Sequence, residues 1–232
     1  MKKPLNLIKE ALERGQLALS EFDSKQFLSQ FGIPVCRETI APDADSAAAK
    51  AAKIGFPIVL KACGANLTHK TEAGGVVLNL RSEKEVKKES QRLLKIEGCE
   101  ALLIQEMVKG DREFVCGLTR DSQFGLCVMF GFGGIFTEVV KDVVFRIAPL
   151  TPWDAQEMVQ EIRSRKILES FRGQSAVDLK VLSQTLVALG EIGLQYEDVV
   201  GVDINPLKIR QNGKPVSVDA LVILKSSGTI NP

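Results

Sequence analysis

The sequence predicts an α+β fold built as two lobes, and three observations predict it. Helical patterns are interspersed with hairpin-like strand pairs instead of strict strand–helix–strand repeats, which argues against a doubly wound parallel sheet. From Glu113 onward the apolar period changes to near two, with short polar or glycine turns between segments, the pattern of an antiparallel sheet. The 232 residues, 45% apolar and 25% charged, suffice to bury a core for one large domain or two small lobes.

Residues 1–15 place Leu5, Ile8 and Leu12 at helical spacing among Lys and Glu, an amphipathic helix and not a signal peptide. Ser20 and Asp23 form a capping pattern, and Phe22, Phe27, Leu28 and Phe31 give the next helix an apolar face that stops at Gly32-Ile33-Pro34. A short strand is expected over 35–40. An alanine-rich helix over 45–54 ends at Gly55, and 56–62 reads as a buried strand entered through Pro57, with Lys61 at its end. A polar, glycine-bounded loop over 64–75 leads to a strand over 76–80. A helix capped by Ser82, with Glu85 three residues on, follows, and a strand over 101–108 closes the first lobe. In the second lobe strands are expected over 113–118, 126–130, 137–141 and 143–147. Thr151, with Pro152 at the first helical position, opens a helical stretch, and a long amphipathic helix covers about 177–195. Strands over 199–209 and 216–224 flank an Asn212-Gly213 turn. The expected organisation is an N-terminal helical extension over 1–19, one lobe over 20–108 and a second over 109–232.

Thirty basic against 29 acidic residues leave a formal charge of +1, so no long-range field draws the chain to nucleic acid or an anionic membrane. No apolar run approaches the length of a membrane span. The five cysteines are dispersed, form no C-x-x-C pair and read as reduced core residues of a cytoplasmic protein. Two phosphate motifs are excluded: no G-x-x-x-x-G-K-[ST] occurs, and Gly131-Phe132-Gly133-Gly134 lacks the third glycine of a dinucleotide fingerprint.

Four dispersed features remain. Lys61, at the end of an apolar strand, is followed by a loop returning through Gly74 and Gly75. A lysine beside glycine-rich backbone suits phosphate oxygens, although a solvated lysine at a loop edge has the same local pattern. His69, within Thr68-His69-Lys70-Thr71, is the only histidine. A neutral imidazole, with an ordinary pKa of about 6.5, accepts a phosphoryl group near neutral pH and splits a difficult transfer into two easier steps. A solvated surface histidine also fits the polar loop. The third feature is Asp203-Ile204-Asn205-Pro206 with Asp219 on the flanking strand, hard oxygen donors of the kind Mg²⁺ takes in small number. A two-residue Asn212-Gly213 loop would pair Asn205 with Ala220 and separate the site. A three-residue loop, Gln211 to Gly213, with Gly213 left-handed as a bulge, pairs Asn205 with Asp219, and that loop is expected. Last, Gln105-Glu106-Met107-Val108 runs into Lys109 to Glu113 at the change of lobe, a hinge offering backbone groups to an adenine edge and Glu113 to ribose hydroxyls.

Three stretches in this order, His-Lys-Thr-Glu-x-Gly-Gly-Val at 69–76, Gly-Phe-Gly-Gly-x-x-x-Glu-Val at 131–139 and Asp-x-Asn-Pro-Leu at 203–207, give the chain its resemblance. It resembles the ATP-grasp β subunits of ADP-forming acetyl-CoA synthetases from about Ser20 to Lys225, and more distantly the β subunits of succinyl-CoA synthetase. The resemblance implies an α+β ATP-grasp fold in which two lobes clamp ATP or ADP with Mg²⁺. It implies Lys61, with Gly74 and Gly75, at the phosphates, Glu106 and Val108 at the adenine, and Glu113 at the ribose. Arg146 is implied as a further phosphate contact and Asn205 with Asp219 as Mg²⁺ ligands. The implied reaction makes ATP reversibly from acyl-CoA, ADP and phosphate, with His69 relaying the phosphoryl group from a CoA-binding α subunit in an α2β2 heterotetramer. An ATP-grasp ligase without phosphohistidine, or a non-catalytic nucleotide-sensing module, is the alternative.

Overall fold

The computed structural model describes residues 3–64, 67, 74–134 and 142–226. Its contacts divide the chain into two compact units, Ser20–Asp23 with Cys36–Val108, and Met1–Leu19 with Ser24–Val35 and Lys109–Pro232.

The smaller unit contains β1 (Glu38–Ala41), α3 (Ala44–Ile54), β2 (Ile58–Cys63), β3 (Val76–Leu80), α4 (Glu83–Leu93) and β4 (Ala101–Glu106). Its sheet has the order β1-β4-β2-β3 and is antiparallel at every pairing. Side chains alternate across a pleated strand. Ile58, Leu60 and Ala62 therefore point one way with Leu102 and Ile104, into a core completed by Ala47, Ala48 and Ala51 of α3 and Val86 and Leu93 of α4. The small alanines let α3 lie close to the sheet. Val59 and Lys61 point the other way, paired with Gln105 and Leu103. Helix α3 begins earlier than the sequence suggested, because Asp43 accepts the Ser46 amide at 2.8 Å and serves as its cap. Ser82 caps α4 as expected, and Glu85 returns a carboxylate oxygen to the Arg81 amide at 2.8 Å.

The larger unit holds α1 (Pro4–Glu13), β5 (Glu113–Asp121), β6 (Gly125–Phe132), β7 (Val143–Ile147), α5 (Pro152–Glu161), a 3₁₀ turn at Arg165–Leu168, α6 (Leu179–Gln195), β8 (Val199–Ile209), β9 (Pro215–Ser217) and β10 (Ala220–Leu224). The sheet path is β10-β8-β5-β6-β7, with β9 paired to β8. Phe114, Cys116, Leu118, Leu126, Val128 and Phe130 face a core filled by Leu182, Leu186, Leu189 and Ile192, which recur on one side of α6. Thr151 and Asp154 form a reciprocal capping box at the start of α5. The expected strand over 137–141 lies outside the described residues, and the expected strand over 216–224 is divided into β9 and β10 at Val218 and Asp219.

The division into units differs from the expected lobes at 24–35. Helix α2 (Glu21–Ser29) is capped by Ser20, whose hydroxyl oxygen accepts the Asp23 amide at 3.1 Å, and only its first turn belongs to the smaller unit. Phe27, Leu28 and the following Ile33 are buried in the core of the larger unit. Ser24 Oγ accepts the Val222 amide at 3.0 Å, and Lys25, fully buried, donates to the Val218 carbonyl at 3.3 Å. The helix is thus bonded to strands nearly 200 residues away, and Phe27 and Phe31 pack on Tyr196, pairings that local periodicity does not encode.

The β8–β9 connection is the expected three-residue loop. Ile209 pairs with Pro215, the Arg210 amide donates to the Lys214 carbonyl at 3.0 Å, and the Gly213 amide donates to the Arg210 carbonyl at 2.8 Å. Gly213 takes φ +83°, and a Cβ there would sit 2.0 Å from the Ala176 carbonyl oxygen, so this position excludes every side chain. Gly213→Ala is expected to lower the unfolding free energy by about 2 kcal/mol or more, through the left-handed backbone and this clash together. Urea denaturation of the two proteins measures the difference.

Candidate functional site

In the smaller unit Lys61 is held by ladders on both sides, against Leu103 of β4 and Val76 of β3. It lies on the face turned away from α3 and α4, yet is only 5% exposed. Its Nζ donates to Glu21 Oε1 at 2.6 Å. Gly75 accepts the Ala62 amide at 2.8 Å, which ties the returning end of the loop to the strand that carries Lys61. Gly74, at φ +65°, accepts from Arg92 at 3.0 Å. His69 lies outside the described residues.

The end of β4 separates the roles of side chain and backbone. Glu106 accepts the Arg37 amide at 2.8 Å through its carboxylate, so the side chain ties β4 to the segment before β1. The Met107 amide donates to Pro57 at 3.4 Å, whereas the buried Val108 amide has no acceptor among the described residues.

In the larger unit the polar residues gather on the sheet face opposite the helices. Ile204 and Leu207 both enter the core, so the two residues between them form an irregularity in β8, and the β5 ladder shifts register at the same level. Ala220 pairs with Ile204, and the Val218 amide donates to the Pro206 carbonyl at 3.3 Å. Asn205 and Asp219 therefore stand opposite each other, at the interruption between β9 and β10. Asp203 shares their face, paired with Leu221 and Gly117. Burial, and secondarily the nearby Asp219 carboxylate, raise the Asp203 pKa above the ordinary range. Two neighbouring carboxylates with an amide oxygen beside them are hard oxygen donors of the kind a divalent cation takes in small number. Among the described residues no group of three or more His, Cys, Asp and Glu side chains is placed to hold a metal.

Glu113, at the start of β5, accepts from Lys208 Nζ at 3.0 Å, and its carbonyl accepts the Gly133 amide at 2.8 Å. A Cβ on Gly133 would lie 2.5 Å from the Phe114 carbonyl carbon, so the glycine at this position is what lets the stretch lie against β5.

Arg146 takes a different face of the sheet from Asp203, Asn205 and Asp219. It pairs with Val128, a core residue, and so projects on the helix-covered face, where its guanidinium donates to Glu161 of α5 and to the Phe145 carbonyl. A side chain there does not join Asp203, Asn205 and Asp219 on the other face; the period of two decides this. The residues that sequence reasoning missed are Glu21, Lys25 and Lys208, and Asp203 was noted only as part of its motif. For Glu21 and Lys25 the local signal is a charge on the apolar side of a helix, whereas Lys208 and Asp203 alternate with the core residues of β8 and give no such signal. Lys25, for example, shares a helix face with Leu28.

The profile of the family described as ATP-grasp domain matches residues 10–224. The acetate–CoA ligase [ADP-forming] II subunit beta of Pyrococcus furiosus is 37% identical over 233 residues, covering 95% of this chain and 98% of that one. The acetate–CoA ligase [ADP-forming] II of Archaeoglobus fulgidus is 38% identical over 90% of this chain, which spans 30% of that longer protein. Among solved structures, acetyl-coenzyme A synthetase 1 of Ca. Korarchaeum cryptofilum superposes with a TM-score of 0.84 at 38% identity, covering 96% of this chain and 100% of that one. That structure contains coenzyme A and Mg-AMPPCP, with its phosphohistidine segment pointing towards the nucleotide-binding site.

Arg146→Ala is expected to leave Mg-ADP affinity within about twofold. Loss of its partly exposed ion pair should cost less than about 1 kcal/mol. Calorimetric titration and thermal unfolding of the variant check both values.

Proposed function

We propose that this chain, which belongs to the ATP-grasp family and within it to the β subunits of ADP-forming acetate–CoA ligases, carries the nucleotide half of a reversible acyl-CoA synthetase and passes a phosphoryl group between His69 and ADP. The observation that carries the reading is the opposition of Asn205 and Asp219 on the helix-free face of the larger sheet, with Asp203 beside them. Lys61 neutralises phosphate oxygens, with the backbone of Gly74 and Gly75 alongside. The Val108 amide and the Glu106 carbonyl meet the adenine edge, and Glu113 accepts from the ribose. Asn205 and Asp219 hold Mg²⁺, which when bound supplies charge neutralisation at the phosphates.

In the direction of ATP synthesis, the P–N bond of phospho-His69 breaks as a terminal oxygen of ADP forms the new P–O bond, leaving a neutral imidazole. Such a transfer depends on positioning and charge more than on acid or base groups. The phosphoryl group reaches His69 from a CoA-binding α subunit, as a separate chain in an α2β2 heterotetramer, and acid recognition, with acetate as the first candidate, belongs to that partner. A cytoplasmic setting is supported by five free cysteines, and no helix among the described residues is long and apolar enough to cross a membrane.

The test is incubation with γ-labelled ATP and Mg²⁺, with and without the α subunit. Acid-labile, base-stable label on His69 that ADP discharges is the expected result. Absence of label, with ATP bound and the partner present, would move the assignment to a relay-free ATP-grasp ligase or a nucleotide sensor. His69→Ala is expected to abolish overall turnover while Mg-ADP affinity stays within about twofold, as for removal of a group that acts only in the transfer. Near-normal synthesis by this variant would refute the relay.

A further inference from the structure

We infer that Glu21 is the resident counter-ion of the phosphate-binding lysine and sets how tightly Lys61 holds nucleotide. The inference rests on the assignment of Lys61 to the phosphates.

Glu21 and Lys61 are 40 residues apart in sequence, and the Glu21 carboxylate meets the Lys61 ammonium at 2.6 Å. Both residues are almost excluded from solvent, at 8% and 5% exposure, so salt and water screen the pair little. Neither backbone is loose. Glu21 stands in the first turn of α2, fixed by the Ser20 cap, and Lys61 is hydrogen-bonded between two strands. The contrast with the Lys87–Asp45 pair is instructive: its two side chains meet at 2.7 Å but are 49% and 85% exposed, where solvent screening leaves little interaction.

An ammonium has three protons to donate, and a carboxylate oxygen is the nearest side-chain analogue of a phosphoryl oxygen. Glu21 therefore satisfies Lys61 in the same way that a phosphate would. A phosphate approaching this pair meets the attraction of the ammonium and the repulsion of the carboxylate together, so the lysine binds it less strongly than an unpaired buried cation would. Replacing the carboxylate by a neutral amide removes that repulsion while leaving the ammonium in place. The carboxylate thus keeps Lys61 in place without nucleotide and weakens its hold enough for nucleotide to leave after transfer. A merely structural carboxylate would have the opposite signature, because its loss would disorder Lys61 and weaken binding.

The experiment titrates the full chain with Mg-ADP and, separately, with adenosine, by calorimetry, for wild type, Lys61→Met, Glu21→Gln and Glu21→Asp. Lys61→Met is expected to lose most Mg-ADP affinity and little adenosine affinity; if it keeps its Mg-ADP affinity, the assignment of Lys61 fails and this inference with it. With Lys61→Met behaving as expected, Glu21→Gln should bind Mg-ADP on the order of tenfold more tightly, as the repulsion between carboxylate and phosphate is removed. Adenosine affinity should not change. Unchanged or weaker Mg-ADP binding overturns the counter-ion role while leaving Lys61 at the phosphates. If Glu21→Gln does not fold, Glu21→Asp decides: withdrawing the carboxylate by one methylene should tighten Mg-ADP by about threefold, and no tightening is the overturning result.

Discussion

The two-residue period of the strands is the constraint on which the rest of the structure depends. Each sheet commits one face to helices, and a side chain's address follows from whether it is in step with the core residues of its strand. Ile58, Leu60 and Ala62 face inward, so Lys61 faces outward. Ile204 and Ala220 face inward, so Asp203 and Asp219 face outward. The same rule sends Arg146 to the helix side with Val128. Position along a strand and position on a face are separate quantities, and only the second decides which residues act together.

That rule would fail at β8 without local irregularity. Two residues fit between the inward Ile204 and Leu207, and two between Ser217 and Ala220, so the ladder stays in step above and below the interruption. Asn205 and Asp219 occupy matching places in these two irregularities. The loop at 211–213 sets that match, and it is tied to the Ser175–Asp178 segment through bonds from the Ser175 amide to Gln211 and the Asp178 amide to Gly213. Arg112 holds the same segment by donating to the carbonyls of Ile167, Glu169 and Ser175. The segment at 175–178 therefore helps to set the register of Asn205 and Asp219.

Charge is arranged differently in the two units. In the smaller one a buried cation has a buried anion against it, and the pair is nearly neutral. In the larger one Asp203 and Asp219 are like charges near each other, and burial, with Asp219 second, raises the Asp203 pKa. One arrangement sets opposite charges together and the other sets like charges together. A formal charge of +1 for the whole chain conceals both, because pairing is a property of neighbours and not of totals.

The sequence by itself determined the elements whose cause is local. Ser20, Ser82 and Thr151 announce helix starts because a cap bonds an amide two or three residues on. The Gln211 to Gly213 loop was legible because only one loop length keeps Asn205 opposite Asp219, and glycine marks the left-handed position that length requires. The motifs at 69–76, 131–139 and 203–207 carried the family, since residue types in order need no coordinates to be read. Tertiary structure alone decided that residues 24–35 pack with the larger unit, that Glu21 meets Lys61, that Lys25 reaches Val218 and that Arg146 turns towards Glu161. Each of these joins positions through the registers of different strands or across chain segments far apart, and the partner of a buried charge is chosen by what the finished packing brings within hydrogen-bond reach.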